Sequence, residues 1–396
     1  MSDALVLGGW RTPRGRGSTK GALADVAPLA LVTGLLERLR ADGVEPRAVD
    51  DLVLGCAAQV DAQGANIART AALVAGWEVP GLTVGRFCAS GIDAVALAAA
   101  RVRAGDASLV VAGGVESLSH VPLFADGGPL YADPAIVAAL GSVHMGIAAD
   151  LVASVEGFGR DALDAFALRT RDKARRAWAA GRMTSVAPVV VQGRVRLAHD
   201  ELLDWTPTAA DLAALPPAFA ELGAAGQDAL VHARHPDVVI AHRHTRASSP
   251  PLADAACVLV VGDRAAAERS GLEPRARIVA SAVAEVDPVM MLTAGQLAVE
   301  RVIARAGLRA RDIDVFQFAE AFASVSLRFQ RDLDADDERF NPDGGTLAMG
   351  HAFGATGAIL SLAAVDHLHR RGGRYAVAAV SGAAGVGTAL LFERVT

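Results

Sequence analysis

Two residues in this chain have the types and surroundings for nucleophilic chemistry. Cys88-Ala89-Ser90-Gly91 leads into the apolar run IDAVALAAARVRAG and then SLVVAGG. His351-Ala352-Phe353-Gly354 leads into ATGAILSLAAVDHLHRRGG and then YAVAAVSG. Both segments read as loop, helix, turn, strand, with Cys88 and His351 in matching places at the mouths of the two helices. A helix N-terminus favours an anion, so it lowers a thiol's pKa and keeps a nearby imidazole neutral enough to act as a base. A thiolate with an adjacent imidazole is an activated nucleophile for acyl transfer, and exposed amides near the two glycines could hold an oxyanion. Taken singly, a free cysteine before an apolar helix is most often packing, and a lone histidine a satisfied structural one. The paired placement favours chemistry; spacing alone leaves both readings open.

The elements that must position the pair follow from periodicity. Candidate strands at 52–56, 109–112, 257–261, 278–284, 314–318, 375–380 and 388–392 alternate with helical tracts, which predicts α/β layers with largely parallel sheets. The helices behind Cys88 and His351 are apolar on every side for two turns, so each must be buried all round, as a central layer between two sheets requires. The chain reads as a duplicated α/β unit, residues 1–120 and 249–396, around an inserted loop region at 121–248 that is richer in Pro, Asp and His. Within the insertion, 161–180 predicts an amphipathic surface helix with Leu163, Phe166, Ala167, Thr170, Ala174, Ala177 and Trp178 on one face and Asp161 as N-cap.

Composition narrows the partners. The 396 residues are 52% hydrophobic and 21% charged, which suits a compact enzyme. A net charge of −6, with lysine only at 20 and 173, leaves no basic surplus for nucleic acid. The start, MSDALVLGGWRTPRGRG, reads as a short strand and a basic loop, not a signal peptide. The uncharged stretch 376–392 is broken by Ser381, Gly382, Gly385 and Gly387 and suits strand-turn-strand better than a membrane span. The cytoplasm is the expected location. Cys56 and Cys257 read as small hydrophobes on strands, and His232, His235, His242 and His244 as a solvated loop with no metal. Glu320 reads as a carboxylate complementing a helix dipole. Glycines 344, 345, 350, 354 and 357 match no phosphate-loop pattern and point to close backbone approach around a pocket.

Four stretches in order, RFCASGIDAVALAAARVRAGDASLVVAGGVESLS, AEAFASVSLRFQRDL, NPDGGTLAMGHAFGATGAI and VSGAAGVGTALLFERV, resemble the thiolases, particularly the bacterial 3-ketoacyl-CoA thiolases. VHMGIAAD and RASSPPLADAA extend the resemblance through the middle, to nearly full length. It implies a five-layered αβαβα core of two similar halves with an inserted loop domain, assembled as a homodimer or homotetramer. It implies acyl-CoA and CoA as substrates with no further cofactor, and allows a hydratase or dehydrogenase companion subunit. It assigns Cys88 as the acyl acceptor, His351 as its activating base, and the amides of Cys88 and Ala383 to an oxyanion hole. His144, Met145, Ser249 and Phe322 match positions near the pantetheine arm or acyl chain.

Three departures bear on the chemistry. Ala319 stands where the thiolases have an asparagine that holds an oxyanion-binding water. Ser381 stands at the second acid/base cysteine, and a hydroxyl exchanges protons poorly near neutral pH. Phe353 follows His351-Ala352 where the thiolases have a proline, and Pro250-Pro251 follow Ser249. Three functions follow: a thiolase cleaving 3-ketoacyl-CoA or condensing acyl-CoAs, with Ser381, water or His351 as the second acid/base; a Cys–His acyltransferase or hydrolase serving a non-carbon nucleophile; and a non-catalytic CoA-binding subunit.

Overall fold

The structure is a computed structural model that describes residues 2–395. The first half contributes β1 (Leu5–Arg11), α1 (Pro28–Ala41), β2 (Asp51–Gly55), α2 (Ile67–Val74), β3 (Gly81–Val84), α3 (Ser90–Ala104) and β4 (Leu109–Ser117). After the middle region, with α4 (Met145–Val155) and α5 (Arg160–Ala179), come β5 (Ala253–Gly262), β6 (Ala276–Glu285), α6 (Ala294–Arg305), β7 (Val315–Phe318), α7 (Ala323–Asp332), α8 (Phe353–Arg371), β8 (Tyr375–Ser381) and β9 (Val386–Arg394).

Pairing exposes the duplication. In the first half the order is β2-β4-β5-β1, joined parallel, antiparallel and antiparallel; in the second it is β7-β8-β9-β6, joined the same way. Among the described residues, the two sheets connect edge to edge through the pairs Leu5↔Arg277 and Val6↔Ala276. Each central helix, α3 and α8, feeds the equivalent strand, β4 and β8, and each ends on a left-handed glycine, Gly105 or Gly372.

Side-chain alternation along the strands separates the layers. Val53, Val110, Leu259, Ile278, Ala378 and Leu390 point inward onto α3 and α8 in one continuous core. Leu52, Leu54, Val111 and Val258 point outward onto α1 and α2, while Val377, Ala379, Leu391 and Ala282 point outward onto α6 and α7. Helix, sheet, helix pair, sheet and helix make the five layers of an αβαβα fold.

The sequence expectations need several corrections. Ala253–Gly262, expected in the second unit at 249–396, pairs with β4 and β1 and so belongs to the sheet of the first half. The sheets, expected to be largely parallel, pair mostly antiparallel, because β5, β6 and β9 each run against their neighbours. Strand β3 and the hairpin of Val189–Val191 with Arg194–Leu197 were not anticipated, because both are short and half exposed. Helix α5 starts at Arg160 with Gly159 as N-cap, and Asp161 lies in its first turn. Cys56 stands just past β2, while Cys257 lies within β5. Residues 134–155 are long and apolar enough to cross a membrane, but they form two helices separated at 141–144, and over half of the most apolar window is buried.

Candidate active site

The crossing of α3 and α8 sets the site. A Cβ on Gly91 would lie 2.6 Å from Gly354 O, and one on Gly357 would lie 2.4 Å from Ile92 N. Glycine at these points lets the helices touch backbone to backbone, which brings their N-terminal ends together.

Cys88 is buried and precedes α3. Phe87 before it has φ 49°, a left-handed conformation costing about 1–3 kcal/mol in a non-glycine residue. Ser90 Oγ locks this turn, accepting from Arg86 N at 2.8 Å and donating to Phe87 O at 2.6 Å. The loop after β8 repeats the device: Ala384 has φ 55°, directly after Ala383. A Cβ on Gly382 would lie 3.5 Å from Phe87 Cβ, so the two loops abut, and Cys88 and Ala383 line one cleft with Glu116, Met145 and Phe353.

His351 is buried and precedes α8. Its amide donates to Pro251 O at 2.8 Å, its Nδ1 lies 2.9 Å from Thr356 Oγ1, and its ring packs edge-on against Phe353 at 4.7 Å. In the tautomer that carries its proton on Nδ1, given to Thr356 Oγ1, Nε2 is the basic nitrogen. Burial, followed by the positive Arg14, lowers the imidazole to about 3 and keeps it neutral. Burial and then Glu116 push the Cys88 thiol up, against the lowering expected from the helix mouth. Desolvation outweighs the helix dipole here. The resting pair is therefore a neutral thiol and a neutral imidazole, and no hydrogen bond joins them among the described residues.

Glu116, which the sequence reading passed over, ends on the floor of this cleft. It is fully buried, and its carboxyl group accepts from Gln63 Nε2 (2.6 Å), Ala57 N (2.8 Å), Gly354 N (2.9 Å) and Ala58 N (3.3 Å). Burial raises its pKa against these donors. The available signal was a glutamate at the end of an apolar strand, GGVES. Cys56, expected on a strand away from the site, lies 3.8 Å from Glu116 Oε1 with its thiol also pushed up by burial.

The remaining expected residues divide. Met145 and Phe353 line the Cys88 cleft. His144 caps α4 through Nδ1, accepting from Gly146 N at 3.0 Å, and its ring lies 5.5 Å from Phe219, which packs 5.9 Å from Phe322. Ser249 lines a separate groove with Arg16, Trp205, Phe219 and Arg246. Ala319 is fully buried, and its methyl group offers no polar atom. Ser381 is a correction. Strand alternation turns it to the outer face of its sheet, where its hydroxyl donates to Leu292 O at 2.6 Å and accepts from Gly295 N at 2.9 Å. It anchors the start of α6 and does not line the cleft, although Ala383 two residues on does.

Two other assignments change. Glu320 does not open α7; it accepts from Thr170 Oγ1 and Asn341 Nδ2, both at 2.9 Å, and from Leu347 N at 3.2 Å, and Gly345 is bare where a Cβ would strike its carboxyl group at 2.1 Å. His244 is not solvated: it is fully buried, 2.8 Å from Asp150, which also meets His242 at 2.9 Å. His232 meets Val238 O at 3.0 Å and His235 lies 3.4 Å from Asp287. Among the described residues no His/Cys/Asp/Glu group is arranged to hold a metal.

Comparison with known proteins agrees with this architecture. Residues 4–227 match the thiolase N-terminal domain and residues 272–394 the thiolase C-terminal domain. A beta-ketoadipyl-CoA thiolase of Escherichia coli is 35% identical over all of both chains, and a 3-ketoacyl-CoA thiolase of Bacillus subtilis is 32% identical over 99% of this chain and all of its own. The crystal structure of the Bacillus anthracis acetyl-CoA acetyltransferase superposes with a TM-score of 0.86 at 30% identity, covering 100% of this chain and 99% of that one. The chain belongs to the thiolase family. It is an acyltransferase of the thiolase type.

Proposed function

We propose that the chain cleaves 3-ketoacyl-CoA with CoA, or runs the reverse condensation, through an acyl group held on Cys88. The observation that carries this is the placement of Cys88, Ala383 and Phe353 around one cleft, with His351 packed on Phe353. Cys88 passes its proton to His351 Nε2 as Sγ bonds to the ketone carbon. The amides of Cys88 and Ala383 face the oxygen as it gains charge. The C2–C3 bond then breaks, and the proton on His351 goes to C2, releasing acetyl-CoA and leaving the shortened acyl group on Cys88. The CoA thiol attacks the acyl-enzyme, and its proton returns to Cys88 through His351. With Ser381 held by Leu292 and Gly295, His351 serves both proton transfers.

Arg16 and Arg246 beside Ser249 supply positive charge suited to the phosphates of CoA. The free edge of β3, with Leu73, Val74 and Leu82 exposed nearby, supports assembly with a second copy. The test is CoA-dependent loss of a 3-ketoacyl-CoA: no cleavage with CoA present, while Cys88 still accepts an acyl group, would sink carbon–carbon chemistry. A second reading, acyl transfer to a non-carbon nucleophile, is favoured by the same Ser381 hydrogen bonds, because that reaction needs no proton moved at an α-carbon.

A further inference from the structure

The two openings near the site differ in charge. The groove at Ser249 contains Arg16 and Arg246. The cleft above Cys88 is walled by Phe87, Leu118, Leu123, Phe124, Met145 and Phe353, and its only ionisable side chains besides Cys88 are Glu116, Asp126 and Tyr131. None of the chain's 38 lysines and arginines lines it. Glu116 is on the floor and spends its oxygens on four donors, so it has no cation to share with a ligand. Asp126 is exposed on the segment that closes the outer wall.

That wall is shaped rather than loose. Phe124 has φ 66°, and its ring packs 4.4 Å from Tyr131 and 6.3 Å from His144. The Tyr131 phenol is pushed up first by burial and then by Cys88 and Asp126, so it stays a neutral hydroxyl between the nucleophile and the rim. An acyl chain leaving Cys88 along this cleft meets aromatic and aliphatic surface, one neutral hydroxyl and acidic groups.

We infer that the Cys88 cleft selects acyl groups with an uncharged, largely apolar tail and rejects those ending in a carboxylate, with Asp126 as a determinant of that choice. The inference rests on Cys88 as the acyl acceptor. A terminal carboxylate would lose water on entry, find no cation, and meet the like charge of Asp126 at the rim, whereas a methyl end of the same length gains contact with the aromatic wall. The selectivity would then differ from that implied by the name of the Escherichia coli beta-ketoadipyl-CoA thiolase, despite 35% identity over both chains.

Butyryl-CoA and succinyl-CoA have acyl chains of equal length and differ at the tail, so they form the matched pair of donors. In the loading step Cys88 Sγ bonds to the thioester carbonyl, the bond from that carbon to the CoA sulfur breaks, and CoA leaves as the thiol with the proton Cys88 gave up. Intact-protein mass spectrometry over short times reads the rate of each adduct on the full chain, with Cys88→Ala as control for site. Butyryl loading should be about 100-fold faster than succinyl loading. Asp126→Arg should narrow that ratio at least about tenfold by raising the succinyl rate. Succinyl loading equal to or faster than butyryl loading overturns the inference while leaving Cys88 as acceptor. A ratio unmoved in Asp126→Arg removes Asp126 as its determinant. Loading by neither donor overturns the acyl-acceptor reading, and the selectivity with it.

Discussion

The carboxyl group of Glu116, at the end of β4, accepts a hydrogen bond from the amide of Gly354, at the start of α8, at 2.9 Å. One buried side chain thus ties the first half of the duplicated fold to the helix mouth behind His351, while its other contacts hold the turn at Cys56 to Ala58. It adds a hydrogen-bonded tie to the backbone contact of Gly91 with Gly354 that brings the two helix mouths together.

Replacing Glu116 with glutamine should therefore be disruptive despite its shape. An amide nitrogen would face backbone N–H groups, leaving buried donors unpaired at about 1–3 kcal/mol. Denaturant unfolding should show that loss, together with slower acyl loading on Cys88; unchanged stability would show that the carboxyl group holds nothing in place.

The acidic imidazole gives a pH prediction. With His351 lowered to about 3, the base is neutral throughout ordinary conditions, so acyl loading should not fall between about pH 8 and about pH 5. A decline centred near an ordinary histidine value of about 6.5 would contradict the burial argument. His351→Ala should slow loading by ~10²–10⁴-fold. Thr356→Val, which removes the partner at Nδ1, should lower kcat more than it changes KM and leave a smaller defect.

Ser381→Ala should separate structure from catalysis. It removes both hydrogen bonds that join β8 to the start of α6, at about 1–3 kcal/mol, and should be read as a lower midpoint of unfolding with acyl loading intact. A large loss of turnover in a protein of unchanged stability would return Ser381 to the reacting groups.

Asp200 supplies an acid-sensitive tie. Burial raises its pKa, but Arg11 at 2.7 Å, Arg14 and the Arg14 amide at 2.8 Å outweigh burial and hold it below the usual carboxylate value. Because the folded value is depressed, its stabilisation is present above the unfolded pKa of about 3.9 and is lost as pH falls through the lower folded value. Asp200→Asn should cost about 3–5 kcal/mol near neutrality by leaving buried guanidinium groups uncompensated, and should flatten the acid end of the stability curve. An unchanged curve would show that the arginines find other partners.

The placement of Cys88 and His351 before two buried helices and the doubled loop-helix-strand unit were legible in sequence, because apolar periodicity and glycine placement are local signals. The same alternation could have placed Ser381: Val377 and Ala379 point to α6, so the residue two further on does as well. Glu116 was not legible, since its four donors come from residues 57, 58, 63 and 354, and only folding gathers them. His244 looked solvated for the same reason; its partner Asp150 lies 94 residues away.

The sequence by itself determined the two buried helices, the strands that follow them and the thiol and imidazole at two equivalent mouths, since these depend on neighbours a few residues apart. Tertiary structure decided their electrical state. Burial keeps Cys88 and His351 both neutral although a helix N-terminus alone favours a thiolate, because desolvation is set by everything packed around the pair. It also decided the cleft's aromatic wall and acidic rim, which residues 87, 118–131, 145 and 353 build only when the two halves and the segment between them close on one another.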